Sequence, residues 1–344
     1  MMSVKSLAES LNLTTIPSTY TFINNPRDLE TVDLDNPDEQ IPIIDFSLLY
    51  SSNPHQRSKV ISDLGKACED WGFFMVINHG VPKEVMDSII EGCRGFFNLS
   101  EEEKLEFKGK QVSDPIRYGT SFHASAEEVF FWRDFLKVIV HPQFHPVNKP
   151  PGFSEVCFDY CKKTEKLTQK LLEGISESLG LEASYIDKAM NVECGLRYLA
   201  ANLYPPCPQP EIAMGMPPHS DIGLLTTLIH NGIDGLQIQH NGKWVNVNTI
   251  PNSILFNIGD HLEILSNGKY KSVVHRAVVN NRATRISVAI ANGPSLETVV
   301  SPAPKLVDNE AHPPAFTGIK YKDYFQIQQA NKLHRKSCLD SLRI

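Results

Sequence analysis

The sequence lacks both a long hydrophobic run and an excess of positive charge. No stretch approaches the roughly 20 apolar residues that a membrane-spanning helix needs. The opening segment, MMSVKSLAESLNLTT, has neither the apolar core of a secretion signal nor the arginine content of a transit peptide. Lys and Arg total 33 against 40 Asp and Glu, so the net charge of −7 offers no electrostatic footprint for nucleic acid. We therefore expect neither a membrane nor a nucleic-acid partner.

The sequence also lacks the cysteine pattern of a disulfide-stapled protein. Its seven cysteines are odd in number and have no paired spacing, which is typical of reduced thiols in the cytoplasm. A hydrophobic content of 41% is ordinary for a soluble globular protein. With 344 residues, the chain is long enough for one large domain or two modest ones. We expect a cytoplasmic protein that is a monomer or a weak dimer.

Two histidines and one carboxylate form a candidate metal site. His219 and Asp221 are two residues apart after Pro217 and Pro218, which bar a helix, so they face the same side of a strand. His275 lies in a second β-rich run, KSVVHRAVV, and can complete the set only if the two strands lie side by side. Each motif alone is weak, since a lone histidine is more often part of the core. Together they match the ligand set of a mononuclear non-haem Fe(II) site.

A second polar pair lies ten residues beyond the last histidine. Arg285 and Ser287 share one face of the run RISVAIA. The planar guanidinium of arginine can grip a carboxylate with two charge-assisted bonds, and a serine hydroxyl adds a third. An R-x-S pair alone is common on surfaces. Beside three metal ligands, however, it predicts an enzyme that binds iron next to a small acid and uses O2.

Further motifs accompany these residues along the chain. They are the segments Trp71–Phe74, Asn78–Gly80, Asn202–Pro208 and Phe256–Asp260. With the metal and carboxylate motifs, they resemble the plant 2-oxoglutarate- and Fe(II)-dependent dioxygenases, a family that oxidises flavonoids, hormones and specialised metabolites. The resemblance extends roughly from residue 41 to beyond residue 302 and therefore covers most of the chain.

The resemblance implies cofactors and residue roles. Fe(II), 2-oxoglutarate and O2 would be required, with ascorbate as a reductant. The implied site residues are the iron ligands His219, Asp221 and His275, the receptors Arg285, Ser287 and Tyr204 for the distal carboxylate of 2-oxoglutarate, and Asn202 near its metal-chelating end. The implied reaction oxidises, most simply hydroxylates, a small plant hormone or specialised metabolite, with release of succinate and CO2.

The residue patterns predict an α+β fold with a mainly β core. From about residue 195 to residue 300, short strands alternate with turns at Asn231-Gly232, Asn241-Gly242 and Asn267-Gly268, which favours a β-sandwich or barrel. Apolar residues at helical spacing predict a long helix over Phe153–Leu179, and a helix should occupy the tail over Tyr321–Leu342. The resemblance specifies a double-stranded β-helix (jelly roll) flanked by N-terminal and C-terminal helices.

We divide the chain at the changes in pattern. The expected regions are an N-terminal arm over 1–40, an N-terminal non-haem dioxygenase region over 41–150, a backing helix over 151–190, the catalytic jelly roll over 191–302, and a C-terminal helical tail over 303–344.

Strand periodicity also outlines a substrate pocket. Small residues on the predicted faces of Arg285 and Asn202 indicate a roomy, mostly apolar space, and in flavonoid-oxidising relatives several of these positions hold larger or charged side chains. This difference disfavours a flavonoid substrate. The predicted lining residues are Tyr118, Phe122, Phe135, Ala200, Ile222, Ala291 and Gly293. Arg117, Arg133 and Lys137 are candidate anchors for an acidic substrate, although a solvated face is the more common role of such residues.

Other functions share parts of this pattern. Iron oxidases that do not use 2-oxoglutarate, such as isopenicillin N synthase and aminocyclopropane oxidase, have the same ligands and an R-x-S pair, but Tyr204 with Asn202 favours 2-oxoglutarate. O-demethylation and desaturation are alternatives within the same family. A catalytically silent binding barrel would not need the complete set of residues. A zinc hydrolase would accept similar ligands but has no use for a carboxylate receptor.

Overall fold

The computed structural model describes residues 2–10, 13–22, 31–32, 40–111, 113–121, 129–308, 310–330 and 336–344. The helices there are α1 (Val4–Ala8), α2 (Pro54–Asp70), α3 (Lys83–Asn98), α4 (Glu101–Leu105), α5 (Phe153–Ser178), α6 (Tyr185–Met190), α7 (Asp260–Leu265), α8 (Tyr321–Ala330) and α9 (Ser337–Asp340). The strands are β1 (Thr31–Val32), β2 (Ile43–Asp45), β3 (Phe73–Ile77), β4 (Ile116–Thr120), β5 (Asp134–His141), β6 (Arg197–Tyr204), β7 (Met216–His219), β8 (Leu225–His230), β9 (Leu236–His240), β10 (Lys243–Asn246), β11 (Ile254–Ile258), β12 (His275–Ala277), β13 (Arg285–Asn292), β14 (Val299–Val300) and β15 (Ile319–Lys320). Within the described residues, no helix is both long and apolar enough to cross a membrane.

Two mainly antiparallel sheets form the core. The larger has the strand order β2-β3-β11-β8-β13-β6-β5-β4, and the smaller has the order β1-β10-β9-β12-β7. Side chains from both sheets line one cavity, so the sheets face each other. This arrangement confirms the predicted jelly roll with flanking helices.

Helices cover the outer face of the larger sheet. α5 ends within one residue of its predicted boundary and buries the stripe that contains Tyr160, Leu167 and Leu171. Its buried side chains belong to the same apolar cluster as those of α2, α3 and the larger sheet. This continuous core fixes the back of the sheet, so its other face is presented to the cavity in a defined register.

The Asn-Gly turns take three different structural roles. Asn241-Gly242, with φ angles of 48° and 79°, closes the predicted hairpin between β9 and β10. Asn231-Gly232 instead leads from β8 in the larger sheet to β9 in the smaller one. For Asn267-Gly268, the hairpin prediction is wrong. The amide of Gly268 donates to the carbonyl of Glu263 in a Schellman motif that ends α7, because the same left-handed backbone suits either turn.

The C-terminal tail is tied to α7 by a buried carboxylate. Glu263, which is 1% exposed, accepts hydrogen bonds from Lys336 Nζ at 2.6 Å and Arg343 Nη2 at 2.7 Å. Gln328 of α8 lines the cavity. Part of the predicted tail helix, residues 331–335, lies outside the described residues. The ion pairs hold the tail across one end of the cavity.

We expect Glu263→Gln to lower the free energy of unfolding by about 1–3 kcal/mol. A fully buried pair that is broken costs about 3–5 kcal/mol, but here the cations can partly hydrate because their side chains are 18% and 43% exposed. Urea unfolding measures the effect. Glu297→Gln, which breaks the exposed pair with Lys320, is the matched control and should leave the midpoint unchanged. Equal losses in the two variants would show that the Glu263 pairs do not anchor the tail.

Candidate metal and co-substrate site

The three predicted metal ligands meet between neighbouring strands of the smaller sheet. β7 and β12 pair so that His219 lies directly opposite His275, which is the side-by-side arrangement that the sequence analysis requires. The two ring centroids are 4.2 Å apart. With Asp221, which follows β7, each residue offers a ligand atom, and these atoms all lie within 4.8 Å of one another.

Hydrogen bonds to the backbone determine which nitrogen of each histidine faces the position between the three ligands. Nδ1 of His219 lies 2.8 Å from the carbonyl of Pro217, and Nδ1 of His275 lies 3.1 Å from the carbonyl of Val273. Because a carbonyl only accepts, each Nδ1 carries the proton and each Nε2 keeps its lone pair. Both Nε2 atoms are 3.8 Å from Oδ1 of Asp221. The three donors therefore converge.

The charges of the ligands suit a divalent cation. Burial and the neighbouring His275 lower the pKa of His219 to about 3, so its imidazole is neutral. Burial alone would raise the pKa of Asp221, but the two histidines and the donated hydrogen bond from Asn257 Nδ2 at 2.8 Å hold it below its usual value. Two imidazole nitrogens and one carboxylate oxygen fit the Fe(II) donor set.

Asn257 is a functional residue for which sequence reasoning assigned no role. Its side-chain amide donates a hydrogen bond to Oδ2 of Asp221, so that Oδ1 faces the histidines. Its position in the segment Phe256–Asp260 was the only available signal. Hydrogen bonds to metal-binding carboxylates orient them and tune their affinity, so Asn257 positions the third ligand.

A buried guanidinium lies in the same cavity. Arg285 is 3% exposed, and among the described residues no carboxylate lies within ion-pair distance of it. Its Nε has no hydrogen-bond partner among these residues, and its guanidinium carbon lies 5.2 Å from the ring centroid of Tyr204, which is directly opposite on β6. Burial lowers the pKa of Arg285. Tyr204 and the more distant Asp234 offset the effect of burial only in part, so this buried cation fits a carboxylate of 2-oxoglutarate.

The cavity has a volume of about 210 Å³. On the larger sheet, its lining residues fall into four successive cross-strand rows, namely Tyr204–Arg285, Phe135–Asn202–Ser287, Lys137–Ala200–Ala289 and Tyr198–Ala291–Thr226. The first two rows contain the residues predicted to bind the co-substrate, and the next two contain the small side chains of Ala200, Ala289 and Ala291. Ile222, from the loop after the metal ligands, also lines the cavity.

Two predicted lining residues face elsewhere. Tyr118 alternates with Arg117 and Gly119 on β4, and its ring packs in the core 5.7 Å from the ring of Phe96. The prediction placed Tyr118 on the wrong face of the sheet. Side chains alternate between the two faces, so an error of one residue exchanges the cavity side for the core side. A Cβ on Gly293 would lie 2.2 Å from the hydroxyl of Tyr321, so Gly293 supports close packing against α8 rather than the pocket. A third predicted residue, Phe122, lies outside the described residues.

The candidate anchors are not on a solvated face. Arg117, Arg133 and Lys137 all line the cavity. Arg133 is 2% exposed and donates from Nη1 to Oδ1 of Asn202 at 3.1 Å. Positive charge is therefore built into the pocket as well as at the proposed co-substrate end. Leu228, Leu236 and Gln328 also line the cavity, and no local pattern in the sequence distinguishes them.

Known families and proteins match this arrangement. A profile of the 2OG-Fe(II) oxygenase superfamily matches residues 193–294, and a profile described as non-haem dioxygenase in morphine synthesis N-terminal matches residues 41–155. The rice 2-oxoglutarate-dependent dioxygenase 19 is 43% identical over 90% of this chain and 91% of its own length. Thebaine 6-O-demethylase of Papaver somniferum is 38% identical over 99% of this chain and 96% of its own.

A solved structure agrees with these sequence matches. The crystal structure of JOX2 in complex with 2-oxoglutarate, iron and JA has a TM-score of 0.89 at 30% identity and covers 100% of this chain and 98% of its own. Similarity thus extends over the helices as well as the barrel. On the strength of the sequence matches, the fold and the converging ligand set, this chain belongs to the 2-oxoglutarate- and Fe(II)-dependent dioxygenases.

Proposed function

We propose that His219, Asp221 and His275 bind Fe(II), and that Arg285 holds the distal carboxylate of 2-oxoglutarate beside it. The observation that carries this assignment is the buried Arg285 guanidinium, which has no ion-pair partner among the described residues and lines the same cavity as the His-Asp-His cluster. Ser287 and Tyr204 border Arg285 and complete the carboxylate receptor, and Asn202 lies opposite Ser287.

The residues supply geometry rather than redox chemistry. When bound, Fe(II) with 2-oxoglutarate and O2 supplies the oxidising power, and the products are succinate, CO2 and the oxidised substrate. The carbonyls of Pro217 and Val273 orient the histidine rings, while Asn257 orients Asp221. A single fixed charge at Arg285 gives the co-substrate one orientation.

We propose that the oxidised substrate is a small plant hormone or specialised metabolite and that hydroxylation is the reaction. The cavity has room for such a molecule beside the co-substrate residues. Similarity to thebaine 6-O-demethylase keeps O-demethylation as the second candidate, since hydroxylation of an ether methyl group leads to its loss. A cytoplasmic location, ascorbate as a reductant, and a monomer or weak dimer remain predictions.

Anaerobic titration of the Fe(II)-loaded protein with 2-oxoglutarate tests the assignment. Chelation of iron by the 2-oxo acid should produce a weak visible charge-transfer band, and aerobic turnover should release succinate in step with substrate oxidation. If iron binds but no band forms, an iron oxidase that does not use 2-oxoglutarate becomes the better description. Failure to bind Fe(II) would favour a silent binding barrel.

We expect Ala291→Phe to reduce kcat/KM for the substrate by about 10-fold or more. Ala291 lies between Tyr198 and Thr226 on the cavity side of β13, so a phenyl ring there fills space that the substrate needs. The band induced by 2-oxoglutarate should persist because the Arg285 row is distant. Steady-state kinetics provide the measurement, and Ala291→Ser is the size-matched control. Unchanged kinetics in Ala291→Phe would show that the substrate does not use this part of the cavity.

A further inference from the structure

We infer that Arg117 and Lys137 form a second anion site, which binds the carboxylate of a small hydrophobic carboxylic acid as the substrate. This inference rests on the proposed function and names the substrate class for it. The two cations belong to β4 and β5 at the edge of the larger sheet, and both line the cavity that contains the metal site.

Strand pairing places the two cationic side chains next to each other on one face. Arg117 lies directly opposite Lys137 in the antiparallel pair, so both side chains leave the same face of the sheet. The next residues across this face are Ala200 and Ala289, whose methyl groups leave open space in front of the cations. A carboxylate in that space lies between the Arg117 guanidinium, which is over the ring of Phe135, and the Lys137 ammonium, which is over the ring of Tyr198.

Among the described residues, the two cations contact aromatic rings rather than carboxylates. Among the described residues, neither forms an ion pair or a hydrogen bond with an acidic side chain. Lys137 Nζ instead lies 3.7 Å from the ring centroid of Tyr198, while the Arg117 guanidinium carbon lies 5.8 Å from that of Phe135. Asp114, on the approach to β4, accepts hydrogen bonds from the backbone amides of Lys110 and Gln111, and its charge acts on Arg117 without a direct ion pair.

The arrangement is unfavourable without a ligand. Like charges directly opposite each other on neighbouring strands destabilise a sheet. Burial, and after it the charge of Arg117, lowers the pKa of Lys137 to about 7. A bound carboxylate would offset the repulsion and restore the charged lysine.

This site is separate from the co-substrate receptor. Along β6, Ala200 beside Lys137 is four residues from Tyr204 beside Arg285, which corresponds to about 13 Å of strand. The ring of Phe135 and the Arg133–Asn202 hydrogen bond lie in the row between them. An acid held by Lys137 therefore extends its apolar skeleton along the small residues near the metal ligands, while 2-oxoglutarate occupies the Arg285 end.

The test compares acids with their methyl esters. Cinnamate, indole-3-acetate and jasmonate, each beside its methyl ester, are titrated into the anaerobic complex of the protein with Fe(II) and 2-oxoglutarate. Isothermal calorimetry gives the affinity, and the change in the visible band reports arrival near the iron. We expect at least one acid to bind roughly 10-fold or more tightly than its ester. If no acid does so while the 2-oxoglutarate band forms normally, the anion site is overturned.

Variants then locate the binding. Lys137→Met and Arg117→Gln should each lower the affinity for the acid by about 10- to 100-fold and leave the affinity for the ester unchanged. Lys137→Arg should retain most of the affinity for the acid. Lys83→Met, in an exposed pair on α3, is the matched control and should change nothing. Acid affinity that survives both charge removals overturns the site. Absence of the 2-oxoglutarate band in the unaltered protein would instead overturn the proposed function.

Thermal unfolding separates a binding role from a structural one. Since Lys137 lies opposite the like charge of Arg117, Lys137→Met should leave the Tm of the unliganded protein unchanged or raise it. Stabilisation by the bound acid should be lost in the same variant. If Lys137→Met markedly lowers the Tm of the unliganded protein but retains acid binding, Lys137 stabilises the sheet rather than binding the substrate, and the inference is overturned.

Discussion

His219→Ala should lower turnover by a factor of about 1000 or more and greatly weaken Fe(II) binding. The substitution removes one of three converging donors, and the loss of a group that merely orients a ligand already costs about 10- to 100-fold in metal affinity. The fold should survive, because the side chain contributes one hydrogen bond to Pro217 and faces the cavity. Metal analysis after dialysis and succinate release measure the two effects.

A histidine with a structural role provides the control. His79 is 6% exposed and is held by the carbonyl of Asn252 at 3.0 Å, outside the cavity lining. His79→Gln should therefore keep stoichiometric Fe(II) and most of the activity, even if it lowers stability. Normal iron content and full turnover in His219→Ala would contradict the ligand assignment.

The metal cluster was predictable because two of its members are local. His219 and Asp221 share a face through the two-residue period of a strand, which needs no knowledge of the rest of the chain. His275 was different, since its contribution depends on the pairing of β7 with β12. The chemistry of the ligand set required that pairing, but no local pattern dictated it. The sequence therefore predicted which residues meet, while the sheet order explains how.

The pocket was less predictable because it depends on strand phase and sheet order. β4 is short, and its sequence IRYGT gives no clear alternation, so Tyr118 and Arg117 could not be assigned to faces with certainty. Arg117 and Lys137 look like surface cations in isolation. Their partial burial follows from the placement of β4 beside β5 and of β5 beside β6, the second being a contact between segments about 60 residues apart. The hairpin prediction at Asn267-Gly268 is wrong for a related reason, since the helix α7 interrupts this region of strands.

Arg285→Gln should raise the concentration of 2-oxoglutarate required for half-saturation by about 100-fold and leave Fe(II) affinity nearly unchanged. The guanidinium is the buried positive charge at the end of the cavity formed by Tyr204 and Ser287, and charge-assisted bonds to a desolvated carboxylate contribute about 1.5–3 kcal/mol. The metal ligands keep their own supports at Pro217 and Val273. Titration of the visible band with 2-oxoglutarate, alongside metal analysis, separates the two affinities.

Arg282→Gln removes the same charge from an exposed position three residues away and should leave both affinities unchanged. Arg285→Lys should recover only part of the lost affinity for 2-oxoglutarate, because an ammonium group cannot reproduce the two parallel bonds of a guanidinium.

The thermal stability of the Arg285 variant provides an independent test. In the part of the chain that the structure describes, the buried Arg285 has no ion-pair partner. Arg285→Gln should therefore not lower the Tm of the unliganded protein, yet it should abolish the stabilisation by 2-oxoglutarate. Full stabilisation by 2-oxoglutarate in that variant would move co-substrate recognition to another cation of the cavity, with Arg133 beside Asn202 as the nearest alternative.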